Sequence, residues 1–137
     1  MESTLGHLQI NIDLNNLDFY RSLFSFLGWK QLCFDARMLG LGDGKGSSLW
    51  FTEPLVKTNN HYDGIGMNHL AVSVKSQEDV DRMATFLRDK KIELLFDTPR
   101  HRPEFCENQQ ETYYQVMFLS PDNILLEVVY TGPLQLH

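Results

Sequence analysis

Two histidines open two nearly matching segments, His7-Leu8-Gln9-Ile10-Asn11-Ile12 and His69-Leu70-Ala71-Val72-Ser73-Val74. Both segments alternate as strands do, so Leu8, Ile10 and Ile12 in the first, and Leu70, Val72 and Val74 in the second, line a core face. His7, Gln9 and Asn11, and in the second copy His69, Ala71 and Ser73, then share the opposite, more polar face. In Ile124-Leu125-Leu126-Glu127-Val128-Val129-Tyr130, Glu127 is one carboxylate within an apolar strand, and a buried carboxylate needs a partner. Two imidazoles and a carboxylate on neighbouring strands suit a divalent ion such as Fe, Mn, Zn or Ni, with the remaining coordination positions open to water or substrate. An open set of this kind is catalytic in type, not structural. A single histidine at a strand start reads as a surface residue and a single Glu on a last strand as an edge charge; the repeat is what joins the three.

The elements that must position these groups repeat in the same order. After the first histidine strand come Asp13-Leu14-Asn15-Asn16, which are helix-capping types, and then Tyr20, Leu23, Phe24 and Leu27 at amphipathic-helix spacing with Gly28 as the stop. Trp29 to Met38 alternates loosely as a strand, Leu39 to Gly46 carries a short strand and a glycine turn, and Ser47 to Thr52 is a further strand. Residues Leu55 to Gly66, rich in Asn and Gly and without periodicity, read as a linker. In the second half the strand His69 to Val74 leads into Ser76-Gln77-Glu78-Asp79, which has the form of a capping box, and Val80, Met83, Ala84 and Leu87 reproduce the helix spacing. Ile92 to Thr98, Glu111 to Leu119 and Ile124 to Thr131 complete the strands, with a tight turn at Ser120-Pro121-Asp122-Asn123. Pro99 to Gln110 is an insertion with no counterpart in the first half.

Duplication of a βαβββ unit predicts an α+β fold in a single domain over 1–137, with modules at about 5–54 and 66–131. Two such modules are expected to form a cupped, mostly antiparallel sheet whose concave face is free for a ligand, with the helices on the convex side. Of Tyr113 and Tyr114, one must point inward by alternation and could move a proton beside a metal. His101 and Arg102, with Arg100, sit on the insertion, where a loop can contact substrate. His61 and His137 are expected at the surface.

Composition narrows the classes. The net charge is −6 and the 12 Lys and Arg are scattered, which gives no phosphate-binding stripe and argues against a nucleic-acid partner. No apolar run approaches the ~20 residues that span a bilayer, and Met-Glu-Ser-Thr-Leu-Gly at the start lacks the regions of a signal peptide, so no membrane partner and a cytoplasmic location are expected. Cys33 and Cys106 have no zinc-type spacing and read as free thiols. No Walker loop, GxGxxG, GxSxG or HExxH occurs.

Gly6-His7-Leu8, Phe19-Tyr20-Arg21-Ser22-Leu23 with Phe26-Leu27-Gly28-Trp29, Asn68-His69-Leu70-Ala71-Val72, and Ser120-Pro121-Asp122-Asn123 before Leu126-Glu127-Val128 together resemble the vicinal oxygen chelate superfamily. That superfamily includes glyoxalase I, bleomycin-resistance proteins, fosfomycin-resistance enzymes, methylmalonyl-CoA epimerase and extradiol dioxygenases. The resemblance runs from about Leu5 to Tyr130. It implies that His7, His69 and Glu127 hold a divalent metal, and that the fourth ligand position falls near Trp50, which cannot bind one. Glyoxalase I usually has Glu there and the epimerase usually Gln; Glu53 offers a carboxylate only if the register slips. The extradiol signature tyrosine is replaced by Met117, and the fosfomycin loop is replaced by Arg100 to Cys106. What remains implied is a lyase, isomerase or oxygenase acting on a small molecule that chelates the metal through vicinal oxygens; Trp50, Gln9, His101 and Arg102 are the expected substrate contacts. The alternative is a metal-free protein that sequesters an aromatic or peptide-like compound, as bleomycin-resistance relatives do. Chains of this length in the superfamily often close the cup across a dimer, so a homodimer is expected.

Overall fold

The structure is a computed structural model that describes residues 1–136; the surface expectation for His137 lies outside the described residues. The chain divides into two compact units, Met1–Asn59 and the residues from Asn60 onward. Among the described residues each unit is βαβββ, giving the α+β class read from the sequence.

In the first unit the strands are β1 (His7–Asn11), β2 (Lys30–Phe34), β3 (Met38–Gly42) and β4 (Ser48–Thr52), with α1 at Leu17–Phe26. The Asp13 carboxylate accepts the Asn15 N–H at 2.9 Å, so the capping residues first make a 3-10 turn, Leu14–Asn16, and α1 follows it. At the other end Gly28, at φ +86°, lets Trp29 N–H return to the Phe24 carbonyl at 2.9 Å while the Trp29 and Phe24 rings meet at 5.2 Å. This is the Schellman stop with its apolar contact, and Gly28 supplies the left-handed residue that it needs. The expected long strand from Trp29 ends at Phe34, because the Asp35 carboxylate accepts the Arg37 N–H at 2.8 Å and turns the chain into β3. Tyr20, Phe24 and Phe51 fill the core under α1, with the Tyr20 and Phe51 rings stacked at 4.4 Å.

The second unit contains β5 (His69–Ser73), α2 (Gln77–Asp89), β6 (Leu95–His101), β7 (Glu111–Leu119) and β8 (Leu125–Pro133). Ser76 caps α2 as anticipated, its hydroxyl accepting the Asp79 N–H at 3.1 Å. Val80, Met83, Ala84 and Leu87 are all fully buried, so the helix spacing read from the sequence is the packed face.

Three further expectations change in detail. The single cupped sheet resolves into two four-stranded sheets, β1-β4-β3-β2 and β5-β8-β7-β6, because the first strand of each unit pairs in parallel with the last strand of the same unit. The remaining pairs are antiparallel. Second, the strand expected at Ile92 to Thr98 starts at Leu95 and continues through Pro99 to His101, taking the start of the insertion into the sheet. It can do so because the β6–β7 ladder is broken between Leu95 and Arg100: Phe96 and Asp97 take left-handed backbone angles, φ 57° and 58°. The Thr98 hydroxyl bridges that gap, accepting the Met117 N–H at 2.9 Å and donating to the Leu95 carbonyl at 2.7 Å, so the proline has no ladder bond to make. Third, the rest of the insertion is not a free loop; it begins with a 3-10 turn at Pro103–Phe105. Among the described residues no helix is long and apolar enough to cross a membrane.

Candidate active site in the second unit

Strand parity decides which side chains meet. On β7, Tyr114, Val116 and Phe118 are buried, and the Tyr114 hydroxyl donates to the Asp81 carboxylate on α2, so this row faces the helix. Tyr113, Gln115 and Met117 make up the other row. On β8 the ladder puts Glu127 opposite Met117 and Leu125 opposite Leu119, on that same second face. β5 joins through the pairs His69 with Leu125 and Ala71 with Glu127, which leaves His69 one diagonal step from Glu127. The two side chains meet there, His69 Nε2 lying 3.0 Å from Glu127 Oε2.

This face carries a cavity of about 560 Å³. Its polar lining includes His69, Glu127, Tyr113, Gln115, Arg102 and Asn68, and its apolar lining Phe96, Phe105, Met117 and Leu125. Glu127 is only 1 % exposed, whereas His69 is 38 % exposed at the opening. A carboxylate buried to that degree needs compensation, and Glu127 has it from two sides. The Tyr113 hydroxyl donates to Oε1 and His69 stands at Oε2. Burial pushes the Tyr113 phenol up from its ordinary range, and the bond to the Glu127 carboxylate pushes it further, so the proton stays on Tyr113. Tyr114 is likewise pushed up to about 12, by burial first and then by Asp81, but on the helix face.

Arg102 follows β6 and reaches back over the same face. Its guanidinium donates to the Gln115 side-chain oxygen, Oε1, at 2.8 Å and to Glu104, and lies 4.7 Å from the centre of the Phe105 ring. The Arg102 bond holds the exposed Glu104 carboxyl below its ordinary range. Phe105 in turn meets the Tyr113 ring edge-on at 5.2 Å, so the start of the insertion forms one wall of the cavity.

The residues singled out from the sequence divide accordingly. His69, Glu127, Tyr113 and Arg102 come together in the second unit. Tyr114 is placed under α2. His101 is turned away from the cavity, with Nδ1 bonded to the Thr112 hydroxyl and its ring 4.6 Å from that of Tyr114. His7, Gln9 and Trp50 lie in the first unit: His7 is exposed, Gln9 Nε2 donates to the Thr52 hydroxyl at 3.1 Å, and Trp50 Nε1 donates to the Ser48 hydroxyl at 2.9 Å. Glu53 lies beyond β4 and pairs with Arg37. Sequence reading gave no role to Gln115, Phe96, Phe105 or Asn68. Gln115 was within reach, since it shares Tyr113's parity; Phe96 was not, since nothing in a phenylalanine announces a left-handed backbone.

Among the described residues no three His, Cys, Asp or Glu side chains are grouped to hold a metal ion. His69 and Glu127 do fit one as a pair. Their imidazole nitrogen and carboxylate oxygen are of the donor types that divalent ions take, and they lie 3.0 Å apart.

An α+β protein of two βαβββ units with a His, Glu and Tyr cluster in a polar cavity is the class these features define. Its fold is that of the vicinal oxygen chelate superfamily, and its structural neighbours are glyoxalase/bleomycin resistance protein/dioxygenase family members. A provisionally assigned glyoxalase from Bacillus halodurans is similar at 25% identity, with a TM-score of 0.79 over 94% of this chain and 96% of that one. A glyoxalase/dioxygenase from Nostoc punctiforme shares the fold at 16% identity and a TM-score of 0.72, over 94% and 91% of the two chains. A glyoxalase/bleomycin resistance protein/dioxygenase from Alicyclobacillus acidocaldarius does so at 23% and 0.63, over 93% and 91%. No family model and no curated protein matches the chain.

Proposed function

We propose that the chain is a metal-dependent small-molecule enzyme of the glyoxalase/dioxygenase type, with His69 and Glu127 holding a divalent Fe, Mn, Zn or Ni ion. His7 enters the ligand set on the sequence repeat alone. The observation that carries the reading is the 3.0 Å approach of an imidazole nitrogen to a carboxylate oxygen that is otherwise sealed from water. An ion there would act as a Lewis acid toward substrate oxygens. Tyr113 keeps its proton and donates it in a hydrogen bond to Glu127 Oε1, which holds the carboxylate in place. Arg102, held by Gln115 and Glu104, sets a positive charge in the cavity wall where an anionic part of a substrate would be oriented.

The test is thermal unfolding of chelator-stripped protein with and without Mn(II), Fe(II), Ni(II) or Zn(II). Wild type should gain about 2.7 kcal/mol at a hundredfold excess over the dissociation constant, and His69→Ala should gain nothing. No stabilisation of wild type by any of the four ions overturns the reading. The second reading, sequestration of a small aromatic or peptide-like compound without metal, draws on Phe96 and Phe105, which line the cavity while 47% and 58% exposed. Stabilisation of stripped protein by such compounds, with no response to the ions, would select it.

A further inference from the structure

The hydrogen bonds of Asn68 determine which atom of His69 is available. The Asn68 amide nitrogen lies 2.9 Å from the Tyr62 carbonyl oxygen and 3.4 Å from Asp63 Oδ1. Both partners are acceptors, so this atom must be the NH2 group; turning the amide over would set its oxygen against two oxygens. The Asn68 oxygen is thereby fixed, and it lies 2.7 Å from His69 Nδ1. An amide oxygen only accepts, so Nδ1 must carry a hydrogen. In the neutral ring Nε2 is then bare, and it faces the carboxylate oxygen of Glu127 at 3.0 Å. Two lone pairs at that distance repel unless a proton or a metal ion lies between them, and the Tyr113 hydrogen is already committed to the other carboxylate oxygen.

We propose that Asn68 is a positioning residue: clamped by the Tyr62 carbonyl, it holds His69 in the Nδ1–H tautomer and so presents the Nε2 lone pair, with Glu127, to a divalent ion. This rests on His69 being a metal ligand, where a hydrogen bond to the outer nitrogen fixes ring orientation and raises ligand basicity. Asn68 is exposed, so its role is separable from folding.

The experiment uses metal-free protein labelled with nitrogen-15, wild type and Asn68→Ala, at about pH 8, where histidines are ordinarily neutral. Side-chain nitrogen shifts of His69 should report the Nδ1–H tautomer in wild type and a mixture including Nε2–H in Asn68→Ala. Zn(II) titrated by calorimetry should bind the variant about 10-fold more weakly, the lower end of what losing such a partner costs. The melting temperature of the metal-free variant should match that of wild type. An unchanged tautomer in Asn68→Ala overturns the proposal, as does a changed tautomer with unchanged Zn(II) affinity. If wild type binds no Zn(II), Mn(II) or Ni(II) while the tautomer still depends on Asn68, the metal reading fails and the control of His69 by Asn68 stands.

Discussion

The two units put different residues at one address. In each, the first strand pairs in parallel with the last, so the partner of the residue two beyond the histidine is Trp50 in the first unit and Glu127 in the second. Across the antiparallel neighbour the same address faces Gly40 in one unit and Met117 in the other. Trp50 lies against Gly40: a Cβ at that glycine would collide with the Trp50 ring. The indole covers its own sheet, and its nitrogen is satisfied by Ser48. In the second unit a smaller, charged residue leaves space, and Glu127 is held by Tyr113 and His69 beneath a cavity. One scaffold thus either closes its face with an aromatic over a glycine or opens it over a carboxylate. The cluster of His69, Glu127 and Tyr113 stands where the larger ring is absent.

The largest expected effect would break this comparison outright. Glu127→Gln keeps an acceptor for Tyr113 but loses the charge, and should lower metal affinity by at least about 100-fold in calorimetric titration. Trp50→Ala should leave that affinity unchanged; a comparable loss there would mean that the two addresses are not functionally distinct. Next comes Gly40→Ala, which forces the indole off its seat and should cost about 1–3 kcal/mol in denaturant unfolding without altering metal uptake.

Tyr113→Phe should cost about 1.5 kcal/mol, the low end for a hydrogen bond to a charged group, since the ring is only half-buried. Its pH dependence has a definite sign. The folded protein keeps the Tyr113 proton above about pH 10, where the unfolded chain releases it, so the contribution is complete below that pH and is lost as pH rises further. Unfolding measured from neutral to alkaline pH should therefore show a steeper alkaline loss for wild type than for Tyr113→Phe, and the variant should lack one late step in tyrosinate absorbance. The smallest effect is Ser48→Ala, which deprives Trp50 Nε1 of its acceptor at a cost of about 0.5–1 kcal/mol by the same denaturant assay.

Much of this was legible in the chain itself. The matching strands, the faces on which His7 and His69 stand, the Ser76 cap and the Gly28 stop depend on periods of 2 and 3.6 and on bonds within a few residues, all of which are local properties. The parity of Tyr113 was also within reach, because Tyr114 alternates with Val116 and Phe118 and so belongs to the core row. That Glu127 needs a partner followed from its apolar neighbours. Which partners it has was decided only in three dimensions: β5 and β7 flank β8, and the broken ladder at Phe96 and Asp97 carries Pro99 to His101 into the sheet and delivers Arg102 and Phe105 to the cavity. Left-handed backbone at two non-glycine residues has no sequence signature, since it is imposed by the surrounding pairing and not by local preference. Likewise the 3.0 Å meeting of His69 with Glu127 joins strands that are far apart in sequence, and only the packed sheet sets that distance.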